Sequence, residues 1–190
     1  MSSDSQRPRD ERLVIGIAGR IGAGKTSTGE YLRSRHGFQY LRYSRVLTEW
    51  LAKDPESKAD LQELGWSVMA KGMQGELNRR LIAQIVPDGD VAVDGLRHSL
   101  DFESLGSAFG SSFHLVFLDS PQEARWDRES VRDKYRSLDA FRRADSHPVE
   151  QQIGSLQTNA VLVLKNEGSL QDLYTALDEA VRRFRKAGPV

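Results

Sequence analysis

Cysteine is absent from the 190 residues. That absence excludes a disulfide scaffold, a thiolate metal site and a cysteine nucleophile together. No apolar run approaches the roughly 20 residues needed to span a bilayer. The opening segment MSSDSQRPRDER carries charge without an apolar stretch, so it is not expected to act as a secretory signal. Neither sign of charge dominates: 27 Lys and Arg offset 27 Asp and Glu. General attraction to DNA or to an acidic membrane is therefore not expected, although a local basic groove stays open. What is present suits a cytosolic domain, with 38% hydrophobic residues to build a core.

Along the chain, residues 1–12 read as a disordered tail and 13–190 as one domain. Leu13–Ala18 is a short continuous apolar run, the texture of a strand buried on both faces. A glycine-rich turn and an amphipathic helix over Thr26–His36, closed by Gly37, follow it. A second strand is expected at Phe38–Tyr43. Residues 44–86 hold no convincing strand but fit three amphipathic helices, around Val46–Leu51, Leu61–Met69 and Leu77–Ile85. Further strands are expected at Val91–Asp94, Phe113–Asp119 and Val161–Leu164. A charged helix is expected from about Gln122 to Tyr135, and the polar segment from there to Ile153 resists assignment. Ser169 is placed to cap a last helix with an apolar stripe of Leu170, Leu173, Leu177, Val181 and Phe184. Strands alternating with helices predict an α/β fold with a parallel sheet covered on both faces.

The chemistry is carried first by Gly19-Arg20-Ile21-Gly22-Ala23-Gly24-Lys25-Thr26, which matches G-x-x-x-x-G-K-[ST] at every fixed position. Glycines let the backbone curl until several N–H groups converge on phosphate oxygens, and the following helix adds the positive end of its dipole. Lys25 then reaches the β- and γ-phosphates and the Thr26 hydroxyl joins a Mg²⁺ shell. Gly19, Gly22, Ala23, Gly24, Lys25, Thr26 and Ser27 are the expected nucleotide-binding set.

A second element is Asp94, at the carboxyl end of its strand, where ligands of doubly wound sheets sit. An acid there can hold Mg²⁺ or orient an attacking hydroxyl. Arg97 follows it closely and Arg42 lies in the second strand; both are candidates for binding the substrate. A third element is the series Arg125, Arg128, Arg132 and Arg136, spaced three or four apart on one helix face, with Arg142 and Arg143 soon after. Interleaved acids fit a solvated, salt-bridged face; phosphoryl transfer also needs such cations and a cover that excludes water. The four histidines share no ligand spacing, and the three tryptophans fit packing better than base stacking.

These elements together, with Val91-Ala92-Val93-Asp94-Gly95-Leu96-Arg97 and Asp119-Ser120-Pro121 through Arg128, resemble the P-loop nucleotide kinases, in particular the group related to adenylate kinase and dephospho-CoA kinase. Phe141–Asp145, Gly154 and Asn166–Leu170 are similar to the same group. The resemblance spans about 13–184 and implies a P-loop NTPase sandwich: a five-stranded parallel core, a helical acceptor-binding insert matching 44–86 and an arginine-bearing lid matching about 125–150. It implies that Lys25 and Thr26 serve ATP and Mg²⁺, and that Asp94 serves the metal or the acceptor. It further implies that Arg97 contacts the acceptor, that Arg128 and Arg132 stabilise the transferring phosphoryl group, and that Asn166 lies beside the adenine. Two positions depart from the pattern. Tyr43-Ser44-Arg45 stands where relatives often carry an acid, and Val68-Met69-Ala70 where they often carry an arginine.

The expected activity is transfer of the γ-phosphoryl group of ATP to a nucleoside or deoxynucleoside monophosphate. The alternatives are a kinase acting on a hydroxyl of a modified nucleobase, a nucleic acid or a dephospho-CoA-like acceptor, and a non-catalytic nucleotide switch. Nucleic acid is the less favoured partner, no membrane is expected, and the chain is expected to be a monomer or homodimer. A GTPase is disfavoured because no N-K-x-D element follows the fourth strand, and an AAA-type motor because the chain is short for a lid domain and sensor helices.

Overall fold

The computed structural model describes residues 12–53, 55, 58–132 and 135–187; of the tail expected over 1–12, all but Arg12 lies outside them. Five strands form one parallel sheet: β1 (Val14–Ala18), β2 (Gln39–Arg42), β3 (Val91–Leu96), β4 (Phe113–Asp119) and β5 (Leu162–Lys165), in the order β2-β3-β1-β4-β5. The run Val14–Ala18 is buried throughout because β1 lies at the centre with strands on both sides. The edge strands β2 and β5 are only half-buried, as their polar alternation requires.

Side chains alternate across the sheet and build two cores. Ile15, Ile17, Ala92, Val116 and Leu118 face α1 (Lys25–His36) and α10 (Leu170–Ala187), whose Leu173, Leu177, Val181 and Phe184 fill that side. Ser169 and Asp172 cap α10 reciprocally, the Ser169 N–H donating to Asp172 Oδ2 at 2.8 Å. On the other face Val14, Val91, Val93, Leu115 and Phe117 meet a helical layer. It comprises α2 (Tyr43–Leu51), α3 (Lys58–Ala70), α4 (Gln74–Ile82) and α5 (Ser99–Phe109); the chain continues through α6 (Gln122–Val131), α7 (Leu138–Asp145), α8 (Pro148–Gln151) and α9 (Gly154–Gln157). Among the described residues, no helix is long and apolar enough to cross a membrane.

Three findings differ from the sequence reading. The charged helix stops at Val131 rather than Tyr135, and among its described residues the polar segment up to Ile153 holds two short helices, α7 and α8, with α9 just beyond it. Helix α5 carries no expectation at all: Ser99, Ser104, Gly106 and Ser107 dilute its apolar pattern, yet His98 and Asp101 form a capping box that starts it. The first helix is not amphipathic in the usual way. Its sheet-facing side is made of Thr28, Gly29 and Leu32, and Gly29 lets the helix backbone rest against the Tyr40 ring of β2.

That close approach is specific. A Cβ on Gly29 would run into the ring of Tyr40 on β2. Gly29→Ala is expected to destabilise the fold by about 1–3 kcal/mol through overpacking, and chemical denaturation of the variant beside the parent measures it.

Candidate active site

The sheet ends where the chain switches direction: β1 leads to one side through α1 and β2, and β4 and β5 lie on the other. The loop Gly19–Gly24 fills the crevice beyond the carboxyl end of β1, the position that the sheet geometry favours for ligands. Gly19, Gly22 and Gly24 take φ values of 145°, 77° and 103°. Gly24, the N-cap of α1, offers no side-chain acceptor, and the first turn of α1 holds no acid. Its amides are thus capped by no side chain of their own helix and complement an anion.

The loop's shape is held from outside. The Asn166 side-chain amide donates to Ala23 O at 2.9 Å, and Arg125 Nη1 donates to Ile21 O at 2.9 Å. Arg128 Nη1 lies 3.4 Å from Gly22 O, and Glu150 accepts the Ile21 N–H at 3.2 Å. Lys25 Nζ donates to Gly19 O at 2.6 Å and to Arg20 O at 2.9 Å, holding the ammonium over the loop.

Asp94 comes from β3, whose pairing with β1 slips at this point: Ile17 lies opposite Asp94 and Ala18 opposite Leu96. Gly95, at φ 94°, is the extra residue of this bulge. Asp94 is buried at 5% exposure and accepts a hydrogen bond from Tyr40 Oη at 2.8 Å. Burial, then the charge of Asp94 and this bond, push the Tyr40 phenol well above its ordinary range, so it stays a proton donor to the carboxylate. Arg42 Nε lies 3.9 Å from the same carboxylate.

A cavity of about 160 Å³ opens between the loop, β3 and helices α2–α4. Gly22, Gly24, Lys25, Thr26, Arg42, Asp94, Arg97 and Arg132 all line it, so eight of the sequence candidates come together around one space. Gly19, Ala23, Ser27, Arg128 and Asn166 are not among its walls. The Ala23 N–H instead closes a turn onto Arg20 O at 3.1 Å. Asn166 is buried beneath the loop, its amide engaged by Ala23. Arg128 and Arg132, expected to share a role, are separated. Arg132 pairs with Glu129 at 3.4 Å on the cavity wall, whereas Arg128 binds Ser120 Oγ at 2.9 Å and Asn166 O at 2.7 Å.

The residues that sequence reasoning missed are the acids that position these cations. Arg97 donates from Nε and Nη2 to Glu150 Oε1, at 3.1 and 3.0 Å, and Glu150 is fully buried. Withdrawal from water would lower the Arg97 pKa; Glu150, with Asp94 and Asp101 behind it, outweighs this and raises it. Asp101 accepts the Arg97 and His98 N–H groups and the Gln74 amide, so it joins α5 to α4, while burial raises its own pKa. Arg125, 3% exposed, makes two bonds to Asp145 at 2.6 and 2.9 Å and belongs to neither a solvated face nor the cavity. Arg136, Arg142 and Arg143 are exposed. The shared three-to-four spacing of Arg125, Arg128 and Arg132 was the available signal for Arg125; nothing local marks Glu150.

The donor set suits a magnesium nucleotide. Glycine amides and Lys25 match phosphate oxygens, and the Thr26 hydroxyl with the Asp94 carboxylate offers the hard oxygens that Mg²⁺ takes alongside phosphate and water. Among the described residues no three histidine or carboxylate side chains gather into a site that would hold a metal without such a nucleotide.

The parallel sheet in this strand order, the glycine loop after β1 and the helices over it define a P-loop NTPase sandwich. Residues 15–147 match the model of the AAA domain family, and the chain belongs to that family. The match covers the glycine loop and β1 to β4. A UPF0200/UPF0201 protein of Archaeoglobus fulgidus is 24% identical over 185 residues, 93% of this chain and 57% of that protein. A UPF0200 protein of Methanosarcina acetivorans is 25% identical over 114 residues, 57% of this chain and 61% of that protein. The chain thus spans about three-fifths of the length of these relatives. Among solved structures, a gluconokinase from Sinorhizobium meliloti superimposes with a TM-score of 0.62 at 14% identity, over 95% of this chain and 97% of that one. Shikimate kinase from Acinetobacter baumannii gives 0.57 at 17%, over 93% and 98%. These likenesses extend the fold assignment over almost the whole chain.

The Arg125–Asp145 pair yields a test. Burial would raise the Asp145 pKa; hydrogen bonds from Arg125 and Gln122 and the charges of Arg125 and Arg20 overcome this and lower it. The resulting stabilisation is present above the ordinary aspartate value, roughly 3.9, and is lost as pH falls from there through the lowered one. Asp145→Asn is expected to cost about 3–5 kcal/mol at neutral pH, because it strands a buried guanidinium, and to flatten the acid limb of the stability profile. Urea unfolding between pH 3 and 7 reads both.

Proposed function

We propose that the protein is an ATP-dependent phosphotransferase acting on a small-molecule acceptor held in the cavity between the glycine loop and α2–α4. The observation that carries this reading is the convergence of Lys25, Thr26 and Asp94 on the cavity that Arg97 and Arg132 also line. A nucleotide binder without chemistry would need the loop; it would not need a carboxylate and two arginines facing a second compartment. In this reading 44–86 is the acceptor-binding segment and about 125–150 the lid.

ATP supplies the phosphoryl group, and bound Mg²⁺ would supply charge neutralisation of its phosphates. The loop amides and Lys25 hold the β- and γ-phosphates, and Thr26 with Asp94 provides the protein oxygens of the metal site. Asp94, steadied by Tyr40, receives or directs the acceptor proton. Arg132 faces the transferring group. Arg128 and Asn166 act behind the loop, fixing its carbonyls so that its amides point at the nucleotide. Because the transition state of phosphoryl transfer is loose and its charge is spread over the equatorial oxygens, positioning and fixed charges do most of the catalytic work. The nucleoside or deoxynucleoside monophosphate acceptor is the reading that the sequence resemblance supports, and an acceptor hydroxyl without a phosphate is the second.

Lys25→Ala removes the ammonium that spans Gly19 and Arg20. Turnover is expected to fall by roughly 10²–10³, the scale of losing one preorganised charge contact in an active site, with circular dichroism and melting temperature close to the parent. Rates within a few-fold of the parent, on the acceptor that the parent uses best, would remove the assignment.

A further inference from the structure

The acceptor side of the cavity is electrostatically satisfied before any acceptor arrives. Each arginine on its walls has a carboxylate of its own: Arg97 has Glu150 at 3.0 Å, Arg132 has Glu129 at 3.4 Å, and Arg42 has Asp94 at 3.9 Å. Glu150 and Glu129 are 0% and 1% exposed. They cannot turn out to solvent and leave their arginines to a new anion. The opposite wall is neutral. Among the described residues, α2–α4 give the cavity Tyr43, Leu47, Gln62, Met69 and similar side chains, with no charged group. A phosphomonoester placed here would sit against carboxylates already bonded to the cations it needs, and like charges a few ångströms apart in a partly dry site repel strongly.

A neutral hydrogen-bonding group meets the opposite situation. Tyr43 is 4% exposed, lines the cavity, and its hydroxyl has no hydrogen-bond partner. Burial, then the charge of Asp101, raise its pKa well above the ordinary value, so it remains a protonated phenol. That hydroxyl is itself closed off from the cavity, so what Tyr43 gives the space is neutral surface without a charge.

We propose that the acceptor is an uncharged, hydroxyl-bearing small molecule with one apolar face, and that Glu150 sets this choice by occupying Arg97. The proposal rests on the phosphotransfer reading above and narrows it. In the reaction, the acceptor oxygen bonds to the γ-phosphorus while the bond from that phosphorus to the β–γ bridging oxygen breaks, its electron pair staying on ADP. The hydroxyl proton passes to Asp94. Glu150 is here a positioning residue, acting through Arg97.

The test compares matched pairs that differ only in a phosphate: each common nucleoside with its 5′-monophosphate, ribose with ribose 5-phosphate, and glycerol with glycerol 3-phosphate. Binding is followed by calorimetry and turnover by ADP release with Mg·ATP, for the parent and for Glu150→Gln. The parent is expected to bind the uncharged member of its best pair at least tenfold more tightly. Glu150→Gln is expected to shift that ratio at least tenfold toward the phosphorylated member, by releasing Arg97. Glu129→Gln tests the same logic at Arg132 should the Glu150 variant not fold. Tighter binding of phosphorylated members by the parent, no binding of any pair, or an unchanged ratio in the folded variants overturns the proposal. The expected binding preference without ADP release from any pair would leave the charge argument standing and remove the phosphotransfer reading alone.

Discussion

The site depends on keeping one tight backbone loop open. The carbonyls of Gly19, Arg20, Ile21, Gly22 and Ala23 all find donors, as each must or lose the free energy of an unmade hydrogen bond. Donors come from distant parts of the chain: Asn166 from the segment after β5, Arg125 and Arg128 from α6, and Lys25 from the helix that the loop begins. The same residues that a motif search lists as ligands or lid arginines are thus the scaffolding of the phosphate cradle. Arg125, locked to Asp145, is the firmest of them, and it couples α6 and α7 to the loop.

This arrangement explains which parts of the molecule were legible in its sequence. The central strands were readable because burial on both faces leaves unbroken apolar runs such as Val14–Ala18 and Phe113–Asp119. The glycine loop was readable because its geometry restricts residue type at fixed spacing. Tertiary pairing was not readable in this way. Glu150 meets Arg97 across 53 residues and Asp145 meets Arg125 across 20, and nothing local in either acid distinguishes it from a surface carboxylate. The weak apolar pattern of α5 hid a helix whose start is defined by one hydrogen-bonded box, His98 with Asp101.

Two compartments emerge with different electrostatics. Around the loop, amides and an ammonium meet an anionic ligand. Beyond Asp94, cations and acids cancel pairwise while α2–α4 offer apolar and amide surface. A charged ligand and an uncharged one would then be favoured in different parts of the cavity by polarity alone.

The bulge at Gly95 constrains how the chain can vary over time. In a strand, side chains change sides with every residue, and the extra residue here fixes which way Asp94 and Arg97 look. Removing or adding one residue between them would shift Arg97 against Asp94 and take its guanidinium away from Glu150. Point replacements in this stretch can alter chemistry by degrees, whereas a change of length abolishes it at once. A change of length within Asp94–Arg97 therefore disturbs the site more than a change of residue there.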